Sequence, residues 1–129
     1  MKPKYYTLTA TAEEDLRTAK SWSLRRWGKA LTKKYFSDIH EGAQYIAKNH
    51  GTFRSREDLT GDLDLSVYAV REHYLVYVPV SKNHIVIVAV VRQGRDLPAI
   101  LAKGSFQIKQ SLNEIQDKID KGEITVGKR

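Results

Sequence analysis

Residues 66–92 read SVYAVREHYLVYVPVSKNHIVIVAVVR, and this stretch decides the fold. It contains three runs rich in β-branched and aromatic residues, at 66–70, 74–80 and 84–92, separated by short polar turns. Turns this short join antiparallel neighbours, so the three runs are predicted to form an antiparallel meander. The run 85–91 is apolar at every position, which predicts a strand that lies mid-sheet or is covered on both faces.

The chain before the meander predicts one short strand and two helices. Residues 4–9 are aromatic and β-branched, as in a strand, and Thr11 with Glu14 forms a capping box that starts a helix. Gly28 predicts a break, after which a second helix ends near residue 50, so the two helices are expected to form an antiparallel hairpin. Its predicted buried face consists of Leu16, Ala19, Ser23, Trp27, Leu31, Tyr35, Ile39, Ala43 and Ile46.

A second helical pattern follows the meander. Residues 97–102 are short and apolar, and Gly104 interrupts them. The positions i, i+4, i+7 and i+11 of an amphipathic helix are then filled by Ile108, Leu112, Ile115 and Ile119. This stripe is expected to pack on the protein's own sheet or hairpin, with a homodimer contact as the alternative. The predicted architecture is one α+β domain over 1–129, β-α-α-β-β-β, with a helical hairpin on an antiparallel sheet and a C-terminal helical extension at 105–122.

Composition excludes several classes of protein. The chain has 129 residues, 41% of them apolar, and no run approaches the roughly 20 apolar residues that span a membrane. There is no secretory signal and no cysteine, so we expect a cytoplasmic protein without disulfides or membrane contact. The four histidines lack metal-ligand spacing, and no phosphate-cradling glycine loop occurs, so neither a metal nor a cofactor is expected.

Basic residues are concentrated in the predicted hairpin. The chain carries 22 Lys and Arg against 15 Asp and Glu, a net charge of +7. Seven bases and no acid lie between Leu16 and Ser37, namely Arg17, Lys20, Arg25, Arg26, Lys29, Lys33 and Lys34. Such a patch attracts nucleic acid or an acidic protein, or it is a solvated helix face that keeps the protein soluble.

Charged side chains also collect where the first and third meander strands end. They are Arg71, Glu72 and His73 after the first strand, and Arg92, Arg95 and Asp96 after the third. Sequential strand pairing would place the three arginines at one end of the sheet, where they could bind phosphate or carboxylate bidentately. The alternative is that Arg71–Glu72 and Arg95–Asp96 are local ion pairs at turns, which contribute little stability.

Four segments together resemble a known family. They are YYTLT at 5–9 followed by AEEDL at 12–16, the Trp27-Gly28 step, VREHYLVY at 70–77, and VVRQGRDL at 90–97. Their order and spacing over about residues 4–101 are similar to those of ParE/RelE-type toxins of bacterial type II toxin–antitoxin modules.

The two branches of that family differ in activity. RelE-like members cut messenger RNA in the ribosome, whereas ParE-like members block DNA gyrase. Tyr74 stands where the RNase branch has an arginine, no Tyr or His lies near residues 100–101, and QGRD at 93–96 is similar to the ParE form. The resemblance therefore implies a ParE-like toxin that binds gyrase and is neutralised by a cognate antitoxin. The net charge of +7 predicts that this antitoxin has an acidic docking segment. The predicted binding residues are Arg71, His73, Tyr74, Arg92, Arg95 and Asp96.

Two alternatives stay open from the sequence. A RelE-like endonuclease acting on ribosome-bound mRNA would use Arg71, Arg92 and Arg95 on the scissile phosphate and His73 for proton transfer. A non-toxic nucleic-acid-binding module would use the basic hairpin patch instead. The extension beyond residue 102 departs from both toxin branches; it could cover the sheet, build a homodimer or occupy part of the antitoxin's docking surface.

Overall fold

The computed structural model describes residues 5–50 and 65–124, so the predicted loop at 51–64 and the last five residues lie outside the described chain. The elements are β1 (Tyr6–Leu8), α1 (Ala10–Asn49), β2 (Ser66–Val70), β3 (His73–Ser81), β4 (His84–Arg92), α2 (Leu97–Lys103) and α3 (Ser105–Asp120). This order confirms the predicted α+β class and the C-terminal helix.

Gly28 folds α1 back on itself as the predicted hairpin. Its φ of 83° and ψ of −179° lie in a region that essentially only glycine adopts, so helical geometry stops there. The first half, residues 10–27, and the second half, residues 29–49, face each other across a groove shared by Leu16 and Phe36. The N-cap is Thr9 rather than Thr11, because the Thr9 hydroxyl accepts the Ala12 N–H at 3.1 Å.

The sheet has the strand order β1-β4-β3-β2. β2, β3 and β4 form the predicted antiparallel meander, but β1 pairs in parallel with β4, so the sheet is mixed and not purely antiparallel. The hairpin explains the parallel pairing of β1 and β4. Its first half continues in the direction of β1, and its second half returns the chain to the end of the sheet where β1 begins. β2 therefore starts in the direction of β1, and β4, two reversals later, runs the same way.

Strand β4 is buried on both faces, as its unbroken apolar run predicts. One face packs under α1, through a core of Tyr35, Ile39, Ala43, Ile46, Leu75, Tyr77, Ile85, Ile87 and Val90. The opposite face packs under α2 and α3, through Val67, Val76, Val86, Val88, Ala89, Val91, Leu97, Leu101 and Ile108. The prediction fails for Leu31, which is 56% exposed because it lies near the hairpin tip, beside an open cleft.

A β-bulge at Val88 decides which way the end of β4 faces. Val76 pairs with Ala89 and Tyr77 pairs with Ile87, so Val88 is the extra residue. Side chains alternate along a strand, so one extra residue moves every later side chain to the opposite face. Val90 consequently joins the core under α1, and Arg92 lies over the Trp22 ring of α1.

The C-terminal helix covers the protein's own sheet. Ile108 is buried in the core beneath α2 and α3, and Leu112 and Ile115 pack against that core. The predicted intramolecular packing of the stripe is thereby confirmed for these three residues. Among the described residues, no helix combines the length and apolar character needed to cross a bilayer.

Candidate functional site

A cleft of about 210 Å³ opens at one end of the sheet, between the first half of α1 and the end of β4. We call it the arginine cleft, after Arg25, Arg92 and Arg95. Its lining is completed by Asp15, Thr18, Ala19, Trp22, His73 and Val90. Helix α1, strand β4 and the turn before α2 thus each supply one arginine.

Two turns of the chain are tied together beside the cleft. The Gln93 backbone N–H donates to the Glu72 carbonyl at 2.8 Å, and Gln93 Nε2 donates to the Arg71 carbonyl at 2.7 Å. Gly94, at φ 94°, then turns the chain toward Arg95 and α2 in a conformation that favours glycine. The turn that carries Arg95 is therefore fixed against the β2–β3 turn.

Trp22 orients the guanidinium groups around it. The Cζ atom of Arg92 lies 5.3 Å from the Trp22 ring centroid, and that of Arg26 lies 4.9 Å away. Both distances are within the range of cation–π attraction, which contributes about 0.5–1 kcal/mol at exposed sites. The His73 ring meets Trp22 edge-on at 6.1 Å. Trp22 thus connects Arg92 to the hairpin.

Asp15 takes the place of a missing strand neighbour. β1 pairs with β4 only up to Ile87, and no strand of the described chain continues along that edge of β4 beyond it. There Asp15 Oδ2 accepts the Val90 backbone N–H at 3.0 Å. Burial raises the pKa of Asp15, although this hydrogen bond and the charge of Arg95 act in the opposite direction. Of the acidic residues within 5–50 and 65–124, only Asp15 lines the cleft.

His73 is held by a buried hydrogen-bond chain. It is 4% exposed, and its Nδ1 is bonded to the Tyr35 hydroxyl, which also accepts the Glu72 backbone N–H at 3.1 Å. Burial lowers the pKa of His73, and the charge of Arg92 lowers it further, while Glu72 raises it. The ring is therefore neutral near pH 7. The Tyr35 hydroxyl donates to Nδ1 when the ring proton is on Nε2, and it accepts from Nδ1 when the proton is there.

Arg71 lies at the same end of the sheet but outside the arginine cleft. Its Nε and Nη2 bind Asp38 Oδ2 on the second half of α1 at 2.8 and 2.6 Å. Arg71 has φ 56°, an unusual conformation for a residue other than glycine, and the Asp38 contact stabilises it. It lines a separate cleft of about 370 Å³ with Trp27 and Leu31. The partner of Arg71 is thus Asp38, and not Glu72 as the local-pair alternative has it.

The other predicted binding residues serve the fold. Tyr74 pairs with Val91 and packs on the face under α2 and α3, opposite to the face under α1. Asp96 caps α2, because its Oδ1 accepts the Ala99 N–H at 3.2 Å. Of the six predicted residues, the cleft brings together His73, Arg92 and Arg95.

Sequence reasoning missed Asp15 and Trp22 as site residues, and it assigned Arg25 only to the basic patch. A usable signal existed, since Thr18, Trp22 and Arg25 follow the i, i+4, i+7 spacing of one helix face. What the sequence lacks is any mark that this face meets β4.

Residues of the basic hairpin patch line three different clefts. All seven side chains are exposed, but they are distributed around both halves of α1. Arg17 pairs with Glu14 at 2.6 Å, Arg25 lines the arginine cleft, and Lys34 lines the cleft beside Arg71. Among residues 5–50 and 65–124, no group of three or more His, Cys, Asp or Glu is placed to hold a metal ion.

Comparison with known proteins assigns the family. Residues 6–97 match the model described as the ParE toxin of the type II toxin–antitoxin system, parDE. The chain is 30% identical over 97 residues to Toxin ParE of Escherichia coli, covering 75% of this chain and 92% of that protein. Its fold is similar to a chain of the chromosomal ParDE TA system from P. aeruginosa, with a TM-score of 0.55, 16% identity, and coverage of 67% of this chain and 92% of that one. The protein therefore belongs to the ParE toxin family of type II toxin–antitoxin systems.

Proposed function

We propose that this protein is a toxin that inhibits DNA gyrase by binding it, and that a cognate antitoxin neutralises it. The observation that carries the proposal is the match to the ParE toxin family over residues 6–97. The gyrase target is the activity that the ParE resemblance implies. An antitoxin partner is supported by the solved relative, which is described as a ParDE TA system.

Charge supports an acidic antitoxin. The chain has a net charge of +7, and the seven exposed bases of the hairpin are distributed over both halves of α1. A partner that crosses this surface gains favourable electrostatics at many points when its docking segment carries Asp and Glu. Such steering raises the association rate and weakens as salt is added.

The gyrase proposal is tested with purified protein. We expect the chain to inhibit gyrase-catalysed supercoiling of relaxed plasmid in a concentration-dependent way, and its expression alone to arrest growth. Intact supercoiling at a molar excess of folded protein would refute the gyrase target. Primer extension on translated messages is the companion assay, because codon-linked cleavage would assign the RelE-like activity instead. Harmless expression with salt-sensitive DNA binding would assign the nucleic-acid-binding module.

The antitoxin proposal has its own test. The product of the gene adjacent to that of this chain is co-expressed with it, and growth and co-purification are measured. We expect growth to recover and a stable complex to form. Recovery without a complex would contradict neutralisation by direct binding.

A further inference from the structure

The arginine cleft holds positive charge that the described protein does not neutralise. The ion pairs among residues 5–50 and 65–124 join Arg17 to Glu14, Arg71 to Asp38 and Lys121 to Asp117. None of them involves an arginine of the cleft. Arg25, Arg92 and Arg95 line the cleft, and among the described residues only Asp15 adds a carboxylate to its lining, one oxygen of which is already bound to the Val90 N–H.

The arrangement is more specific than an accumulation of surface charge. Arg25, Arg92 and Arg95 come from three different elements, and the Trp22 ring holds the guanidinium of Arg92 against α1. The turn carrying Arg95 is fixed by the hydrogen bonds of Gln93. A guanidinium fork that is already held in place, as that of Arg92 is, loses little conformational entropy when it binds an anion.

The chemistry of the cleft selects among anions. A guanidinium fork binds carboxylate or phosphate bidentately, but three forks offer more donors than the two oxygens of one carboxylate can accept. A phosphate monoester offers three oxygens and close to two negative charges, which matches three arginines opposed by one aspartate. The cleft volume, about 210 Å³, lies below the roughly 300–1,000 Å³ of pockets that enclose a whole drug-sized ligand. It suits a single group of a larger molecule.

We propose that the arginine cleft is a phosphate-binding site, with Arg92 and Arg95 as the principal ligands and Arg25 closing it from α1. The phosphate is the monoester group either of a free nucleotide or of the 5′ end of a nucleic-acid strand, since both present the same three oxygens. Trp22 is a positioning residue that holds the Arg92 guanidinium. Phosphate binding is measured without gyrase or antitoxin, so its test can fail while the tests of the proposed function succeed.

Binding is measured on the full chain with four probes: inorganic phosphate, AMP, a short single-stranded DNA, and the same DNA with a 5′-phosphate. Tryptophan emission reports on the small probes, because Trp22 lines the cleft and the chain has only one other tryptophan, Trp27. Fluorescence anisotropy of labelled DNA reports on the strands. The test variants are Arg92→Gln and Arg95→Gln, and Lys29→Gln is the matched control, which removes one exposed positive charge near the hairpin tip.

We expect Arg92→Gln and Arg95→Gln each to weaken binding about tenfold or more, and Lys29→Gln to change it less than about threefold. Binding of phosphate and AMP, lost in the two arginine variants, supports the site with a nucleotide ligand. Binding of the 5′-phosphorylated DNA, tighter than that of the unphosphorylated DNA and with the same pattern of losses, supports it with the end of a nucleic-acid strand as ligand. Equal binding of the two DNAs would overturn the monoester site. Equal losses in all three variants would show diffuse charge attraction and overturn the proposal. Absence of binding by every probe to the folded wild-type chain would also overturn it.

Discussion

The close approach of Gly42 to Val70 provides a sharp test of how α1 packs on the sheet. A Cβ atom added at Gly42 would lie 2.7 Å from Val70 Cγ2 and 3.4 Å from Cγ1. Val70 is 8% exposed, and its branched side chain has a restricted χ1 angle, so it cannot simply turn away. Gly42→Ala therefore forces either the helix or the end of β2 to move.

Two opposing effects set the magnitude. Replacing glycine by alanine inside a helix favours folding by about 1 kcal/mol. Overpacking a well-packed core costs about 1–3 kcal/mol. The expected outcome for Gly42→Ala is a loss of up to about 2 kcal/mol in the free energy of unfolding, which lowers Tm by roughly 3–5 °C per kcal/mol in a chain of this size.

A double-mutant cycle with Val70→Ala isolates the contact. Val70→Ala removes both Cγ atoms and is expected to cost about 2–3 kcal/mol on its own. In that background Gly42→Ala meets no obstacle and is expected to stabilise the protein by about 1 kcal/mol. Urea denaturation followed by far-UV circular dichroism measures all four proteins. Stabilisation by Gly42→Ala in the wild-type background, or an equal effect in both backgrounds, would refute the reasoning.

Three further predictions concern the tail, the hairpin and His73. Leu112→Asp is expected to lower the free energy of unfolding by roughly 1–3 kcal/mol, because Leu112 packs against the core under the C-terminal helices. The control variant Phe106→Asp changes a side chain that is 76% exposed and is expected to leave Tm nearly unchanged. Loss of a dimer in sedimentation without loss of stability would favour an intermolecular role for the stripe. Gly28→Ala is expected to cost about 1–3 kcal/mol through backbone strain alone, since no atom lies within 4 Å of the added Cβ, and an unchanged Tm would contradict the φ of 83°. Burial lowers the pKa of His73, so below about pH 6.5 the unfolded chain takes up this proton before the folded one does. Urea denaturation between about pH 5.5 and 8 measures the difference in unfolding free energy between wild type and His73→Gln. This difference should be constant above about pH 6.5. Below that pH the wild type should lose stability relative to the variant, by at most about 1.4 kcal/mol per pH unit.

Local pattern was sufficient to predict most of the fold. The strand boundaries Ser66–Val70 and His84–Arg92 follow from β-branched runs bounded by polar turns, and the break at Gly28 follows from the residue type. Ile108 belongs to an apolar helix face that was predicted to be buried, and it packs on the protein's own sheet. These features depend on the nearest residues along the chain, so they can be read without tertiary structure.

Contacts between segments that lie far apart in the sequence were harder to predict from the sequence alone. The parallel arrangement of β1 and β4 depends on the course of the α1 hairpin, which no strand pattern reveals. The cap of α1 moved to Thr9 because its hydroxyl also donates to the Val88 carbonyl at 3.2 Å, across 79 positions of sequence. Arg71 bonded to Asp38 rather than to its neighbour Glu72 for the same reason, since the fold brings the second half of α1 beside the β2–β3 turn.

The arginine cleft shows how the two contributions divide. The sequence by itself determined that arginines would follow the strand ends, and Arg92 and Arg95 lie there. Tertiary structure decided that Arg92 turns to the face of the sheet on which Arg25 of α1 lies. The physical reason is the bulge at Val88: one unpaired residue reverses the facing of every side chain after it, and this directs Arg92 to α1 and Trp22. A bulge is a mismatch between two strands, and therefore it exists only once both strands are paired.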